Sequence, residues 1–201
     1  MRESTVEKLQ PIINSGRGYV TTTELLNTGF TNRQISELLE MGELEKISHG
    51  QYWLIHSEIS KLKEYKAIEI GKVNPEAVIC ADSACYLQGL IKVEPKVMSI
   101  ATRRSDRHGM NMNFSVSRHY YAERTFEEEC LTKSTPQGEY KIYNIDRSVC
   151  DCIRFQKDIE KDVFELVIDN YKKRQGAQLE RLKAYAKLMR VGRKVEEILG
   201  L

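Results

Sequence analysis

The sequence is short of the features that most directly announce a chemistry. Its four histidines, His49, His56, His108 and His119, stand apart from one another and from cysteine or carboxylate partners, so no metal site is expected. The five cysteines, Cys80, Cys85, Cys130, Cys150 and Cys152, are odd in number and form no CxxC pair; reduced thiols are the expectation, not a zinc ribbon or a disulfide framework. There is no GxGxxG, no P-loop and no nucleophile elbow, and no cofactor is expected. No apolar run approaches membrane-spanning length, and the opening MRESTVEKLQ has no apolar core of the kind a signal peptide carries; a soluble, cytoplasmic protein without membrane contact is expected. Internal repeats and low-complexity segments are missing too. Net charge is nearly missing: 31 Lys and Arg against 29 Asp and Glu leave +2, which says little by itself.

What is present starts in TTTELLNTGFTNRQISELLEMGELEKISHGQYWLI, where residues 22–55 give two short helical patterns, a Gly-containing turn between them, and a β-hairpin. Thr22 or Thr23 is placed to cap the first helix, whose apolar face is Leu25 and Leu26. Thr31 is placed to cap the second, in which Ile35, Leu38 and Leu39 must face a core before Gly42 supplies a left-handed stop. Leu44, Ile47, Tyr52, Leu54 and Ile55 flank the turn residues His49 and Gly50, which predicts a hairpin. Upstream, Val6, Leu9, Ile12 and Ile13 repeat at helical spacing, with Pro11 a blemish, and complete a three-helix core. This is the layout of a winged helix-turn-helix.

Such a module reads DNA because a narrow helix enters the major groove and offers its N-terminal residues to base edges. Those residues are Thr31, Asn32, Arg33, Gln34 and Ser36, and Arg pairs bidentately with guanine as Asn or Gln does with adenine. Lys46, Ser48, His49 and Gln51 would set the hairpin against phosphates or the minor groove. Two observations oppose an easy reading. Arg33 and Glu37 stand at i, i+4 and could simply form a solvated pair. Residues 1–60 carry only Arg2, Lys8, Arg17, Arg33 and Lys46 against eight carboxylates, whereas phosphate attraction supplies most of the affinity of ordinary DNA-binding domains.

Cations from outside the module are therefore expected to help. Residues 171–201 hold nine Lys and Arg against three Glu, and Lys183, Lys187, Arg190 and Lys194 recur at i, i+4, i+7 and i+11, on one face of a single helix beside Leu179, Leu182, Ala186 and Met189. This face reads either as solvated surface or as a grip on phosphates or an acidic partner. A smaller cluster, Arg103, Arg104, Arg107 and His108, falls in a loop.

Beyond residue 55 the pattern predicts a connecting helix over 56–71 carrying Ile59, Leu62, Tyr65 and Ile68, with the domain boundary near its start. Then come a short helix from Asp82 or Ser83 as cap, a strand over 97–101, a half-buried strand with Met112, Phe114 and Val116 on one face, and a strand over 140–145. Asp146 is placed to cap a helix bearing Val149, Cys150 and Ile153, and two helices follow, 158–174 and 178–199, broken at Gly176. Asp146, Arg147 and Asp151 invite a catalytic reading. Capping by Asp146, with Arg147 in a surface or interdomain salt bridge, accounts for them better, because Asp151 lies too far round the helix to share a face with Asp146. No enzymatic activity is expected.

In order and separation, LEKISHGQYWL, ICADSACYLQGL, the MSIAT strand, YKIYNIDRSVCDCIRF and LKAYAKLMRVGRKVEEIL resemble the AbiEi family of antitoxins from type IV toxin–antitoxin systems, over nearly the whole chain. The resemblance implies an N-terminal winged helix that binds inverted repeats in the promoter of its own operon and represses it. It also implies a C-terminal domain that opposes AbiEii, a nucleotidyltransferase-like toxin, without needing a stable complex. The DNA-reading helix would then be residues 31–41, the wing 44–55, a small-residue helix 83–90, and the strand-cap-helix motif Asp146, Arg147 and Asp151, with Ser148 where similar chains have Thr. The expected fold is α+β, with a winged helix-turn-helix domain at 1–62 and a mixed α/β antitoxin domain at 63–201 that has a small sheet and a helical tail. The expected partners are double-stranded DNA and the cognate toxin. The competing expectation is a protein-interaction adaptor whose winged helix binds no DNA.

Overall fold

The structure is a computed structural model and describes residues 3–15, 17–56, 58–174 and 179–201. It is a mixed α+β fold, with ten α-helices and two small sheets among the described residues. Two compact units divide it. The first comprises Met1–Asn74, Gly109–Asn113 and Ser134–Glu139, and the second the remainder, so the first unit runs past the boundary expected at residue 62. Among the described residues no helix is long and apolar enough to cross a membrane.

The first unit packs α1 (Glu3–Asn14), α2 (Thr22–Asn27) and α3 (Asn32–Glu40) around Leu9, Ile13, Val20, Leu25, Phe30, Ile35, Leu38, Leu44 and Leu54. A three-stranded antiparallel sheet in the order β1-β3-β2 joins this core, from β1 (Tyr19–Thr21), β2 (Leu44–Ser48) and β3 (Gln51–Leu54), with Tyr19 opposite Trp53 and Leu44 opposite Leu54. The cap of α2 is Thr21, one residue before the expected Thr22 or Thr23. The capping box needs a Glu or Gln three positions on: Thr21 accepts from Glu24 N, and the Glu24 carboxylate accepts from Thr21 N at 2.7 Å. Gly18 takes φ +71°, and a Cβ there would lie 2.4 Å from the Trp53 ring.

The expected connecting helix shortens to α4 (Tyr65–Val73). Apolar residues at i, i+3, i+6 and i+9 drift steadily round an α-helix and do not hold one face. Residues 60–62 instead find tertiary partners: Gln137 donates to Ser60 O at 2.8 Å and accepts from Leu62 N at 3.2 Å. On α4, the buried Glu69 carboxylate receives Lys61 Nζ at 2.8 Å and the Tyr19 hydroxyl at 3.2 Å, while Lys61 also reaches Glu45 at 2.9 Å.

A mixed five-stranded sheet, of which all but Ser134, Thr135, Gly138 and Glu139 belongs to the second unit, runs in the order β6-β5-β4-β8-β7, from β4 (Val78–Ile79), β5 (Met98–Arg103), β6 (Val116–Tyr121), β7 (Cys130–Thr135) and β8 (Gly138–Tyr143). Strand β4 runs antiparallel to β5 and parallel to β8, and β5 runs parallel to β6. The half-buried strand expected from Met112 begins only at Val116. Helices α5 (Ala81–Leu87), α6 (Glu123–Phe126), α7 (Ile145–Arg154), α8 (Lys161–Lys173), α9 (Leu179–Leu188) and α10 (Gly192–Leu199) complete the unit, with a short 3-10 turn at Gln156–Asp158.

Two expected caps move. Helix α5 starts at Ala81 with Cys80 as N-cap and no side-chain cap bond; Asp82 is instead buried, accepting from Ser99 Oγ at 2.7 Å. The cap of α7 is Asn144, whose Oδ1 accepts from Arg147 N at 2.9 Å, because a cap oxygen must stand three residues before the N–H it takes. The tail is three helices, not two. The expected break at Gly176 lies outside the described residues, and a further break separates α9 from α10 at residues 189–191.

Candidate nucleic-acid interface

Helix α3 is held by a capping box in which Thr31 accepts from Gln34 N and Gln34 Oε1 accepts from Thr31 N at 3.0 Å. Ile35 and Leu38 bury one face, which turns Asn32, Arg33, Ser36, Glu37 and Glu40 outward. The cap changes the reader set. The Gln34 carbonyl oxygen is spent on Thr31, so Gln34 cannot offer adenine its donor–acceptor pair without opening the box. The Ser36 hydroxyl donates back to Asn32 O at 3.2 Å. Asn32 and Arg33 remain in the exposed first turn. Arg33 holds Glu37 at 3.0 Å, yet its side chain is 89% exposed. An exposed i, i+4 pair of this kind contributes only about 0.3–0.5 kcal/mol, against about 1–3 kcal/mol for a bidentate guanine contact. The pair is therefore no obstacle to readout.

The β2–β3 hairpin exposes Lys46 and His49, leaves Ser48 half-buried, and turns through Gly50 at φ +69°. Gln51 is not available as a reader: its Nε2 donates to Lys72 O at 2.9 Å. Other cations of this unit are engaged by its own groups as well. Lys8 Nζ donates to Gly29 O at 2.7 Å, Lys61 serves Glu69 and Glu45, and half-buried Lys72 lies 4.8 Å over the Tyr19 ring, its pKa lowered by burial. Arg17 and Lys46 stay exposed.

No family model matches the sequence, and no curated protein matches it. Among solved structures, the crystal structure of the RV2827C protein from Mycobacterium tuberculosis is similar. The likeness has a TM-score of 0.63 at 12% identity, over 100% of this chain and 82% of that one. It is a likeness of fold.

The second unit holds the remaining predicted residues. Arg103 is not a free phosphate contact, because Glu76, Glu123 and Glu127 all grip its guanidinium. Arg104 and Arg107 are exposed, Arg107 donating to Arg104 O at 3.0 Å. In the tail, Lys183, Lys187 and Arg190 surround one depression, but Lys194 does not join them: the chain breaks before α10, and Lys194 Nζ donates to Ile153 O at 2.6 Å. Arg193, which the sequence pattern passed over, takes its place.

Arg147 is not at the surface, and Glu128, Tyr143 and Asp151, which surround it, all belong to the second unit. It is 1% exposed, donates to Glu128 O, and lies 3.4 Å over the Tyr143 ring. Its Nε approaches Asp151 Oδ2 only to 3.9 Å. Burial pushes Asp151 up to about 6, against the Arg147 charge and the hydrogen bond donated by the Tyr121 hydroxyl at 2.6 Å. Asp146 accepts from the Tyr171 hydroxyl at 2.8 Å and faces Arg174 at 3.8 Å. These carboxylates tie helices and strands together inside the unit. Among the described residues, no group of three or more His, Cys, Asp and Glu is disposed to hold a metal.

Proposed function

We propose that the first unit is a winged helix-turn-helix that reads double-stranded DNA, and that the protein represses its own operon at promoter inverted repeats while opposing a cognate nucleotidyltransferase-like toxin. The observation that carries the DNA reading is the placement of Asn32 and Arg33 in the exposed first turn of the Thr31-capped α3, with Lys46 and His49 exposed on the hairpin that follows. The repressor and antitoxin roles rest on the resemblance of the whole motif order to AbiEi antitoxins. The reading is non-catalytic, since Asp146 and Asp151 are committed to Tyr171 and Tyr121.

Electrophoretic mobility shift with the chain's own upstream DNA tests the DNA role. A salt-sensitive shift, weakened about tenfold or more by Arg33→Ala with Lys46→Ala, is expected. No shift, or one indifferent to both substitutions, sinks it. Co-expression of the full chain with the neighbouring toxin tests the second role, with growth restored as the expected outcome and undiminished toxicity the contrary one. The adaptor reading has its own support in the exposed Glu37 and Glu40 on the same face as Arg33. A partner retained by the intact first unit in the absence of any DNA shift would favour it.

A further inference from the structure

The corner between α9 and α10 gathers a cluster of cations within the second unit. Ala186 and Val195, both buried, floor a depression of about 430 Å³. Exposed Lys183, Lys187, Arg190 and Arg193 stand around it, with Glu196 the carboxylate on its lining. Lys183 has a loose neighbour in Glu180 at 3.7 Å. Four cations set round one depression repel each other until an anion enters.

The backbone adds two observations. Val191 N donates to Ala186 O at 2.8 Å and Arg190 N to Lys187 O at 3.1 Å, the bond pair of a Schellman stop. Arg190 occupies its left-handed position, at φ +60°. Glycine is the usual residue there because an L side chain is strained in that region. A strained arginine on the rim of a cationic depression is not explained by a merely solvated face. Second, α10 opens on Val191, which gives no side-chain cap bond, so the first N–H groups of the helix are not claimed by a capping oxygen beside Gly192 and Arg193. Donors of that kind and the positive end of the helix both favour an oxyanion.

We propose that this groove binds a run of phosphates, with the Lys183, Lys187, Arg190 and Arg193 cations on the phosphate oxygens. Lysine and arginine together suit phosphate oxyanions, arginine through its forked donors and lysine as a mobile point charge. The phosphates come either from a free polyphosphate compound or from a phosphodiester backbone.

Fluorescence anisotropy on the full chain with a fluorescein-labelled oligothymidylate, competed by sodium tripolyphosphate, tests the site and separates the two sources. Displacement by tripolyphosphate points to free polyphosphate, and binding that tripolyphosphate does not displace points to the backbone. In either case Lys187→Glu with Arg193→Glu weakens binding about tenfold or more. Arg190→Gly is the sharper variant: relief of the left-handed strain raises Tm by about 2 °C, while binding falls about fivefold. Absence of binding to both probes, or binding indifferent to the groove substitutions, overturns the proposal. So does an Arg190→Gly protein that is more stable and binds as before.

Discussion

Each unit buries a carboxylate that accepts from a tyrosine and faces a cation, and the two arrangements differ in how complete they are. In the first unit Glu69 meets Lys61 at 2.8 Å, and Lys61 keeps a second carboxylate, Glu45, at its half-exposed end. In the second, Arg147 stays 3.9 Å from Asp151, and Arg147 Nε and Nη2 and Asp151 Oδ2 lack hydrogen-bond partners. Glu69 Oε2 is the corresponding orphan in the first cluster. Burial raises both carboxyl pKa values, against the nearby cation in each case. The contrast shows what a direct contact does. A cation at hydrogen-bonding distance neutralises a buried carboxylate, whereas Arg147 is held chiefly by Tyr143 and Glu128 O and compensates Asp151 from further away.

Removing Arg147 should break the comparison most severely. Arg147→Met leaves Asp151 buried without its counter-charge and should cost about 3–5 kcal/mol in urea unfolding at neutral pH; a loss below about 1 kcal/mol would show that the pair contributes little. Next is the pH dependence. Asp151 is raised to about 6 in the folded state, against about 3.9 when unfolded. Its folded form holds the proton more tightly, so its contribution to stability is fully present below about pH 4 and is lost as pH rises towards 6, a decline of about 2–3 kcal/mol. Asp151→Asn should flatten that slope in thermal melts, leaving the parts from Glu69 and Asp82, whose carboxyls burial also raises; an unchanged slope would mean that Asp151 is not its source. The smallest effect sharpens the contrast. Tyr121→Phe removes a 2.6 Å bond to Asp151 and Tyr19→Phe a 3.2 Å bond to Glu69; the first should cost about 2 kcal/mol and the second about 1. Equal losses would argue that the cation has no part in setting what each tyrosine contributes.

Local signals were the legible ones. Thr31 and Gln34 form a capping box that any reader of three-residue spacing can find, and α3 starts where they place it. The same spacing, with Glu24 as the partner, would have selected Thr21 over Thr22. Strand β1 is three residues long and exists by pairing with Gln51–Trp53, a contact far away in sequence that no local pattern announces. Asn144 and Asp146 are equally good cap residues in composition, and only the position of the first helical turn decides between them. At the tail, the cationic period found Lys183, Lys187 and Arg190, but a left-handed arginine is the reverse of the glycine signal for a helix end. The period therefore predicts one straight helix, which puts Lys194 on the basic face and passes over Arg193. Gln34 and Gln51 read as base contacts because nothing in sequence reveals that one closes a cap and the other holds Lys72 O.

Helix α7 is buried at every position from Ile145 to Ile153, packed against α5, α8, α9 and α10. A ten-residue helix has little stability alone, and this one has no water-facing side on which to fray. Its amide hydrogens have no local route to solvent. In a deuterium-exchange experiment they should be the last of the second unit to exchange, and only with global unfolding, which would make α7 the clock by which the opening of the whole unit is timed.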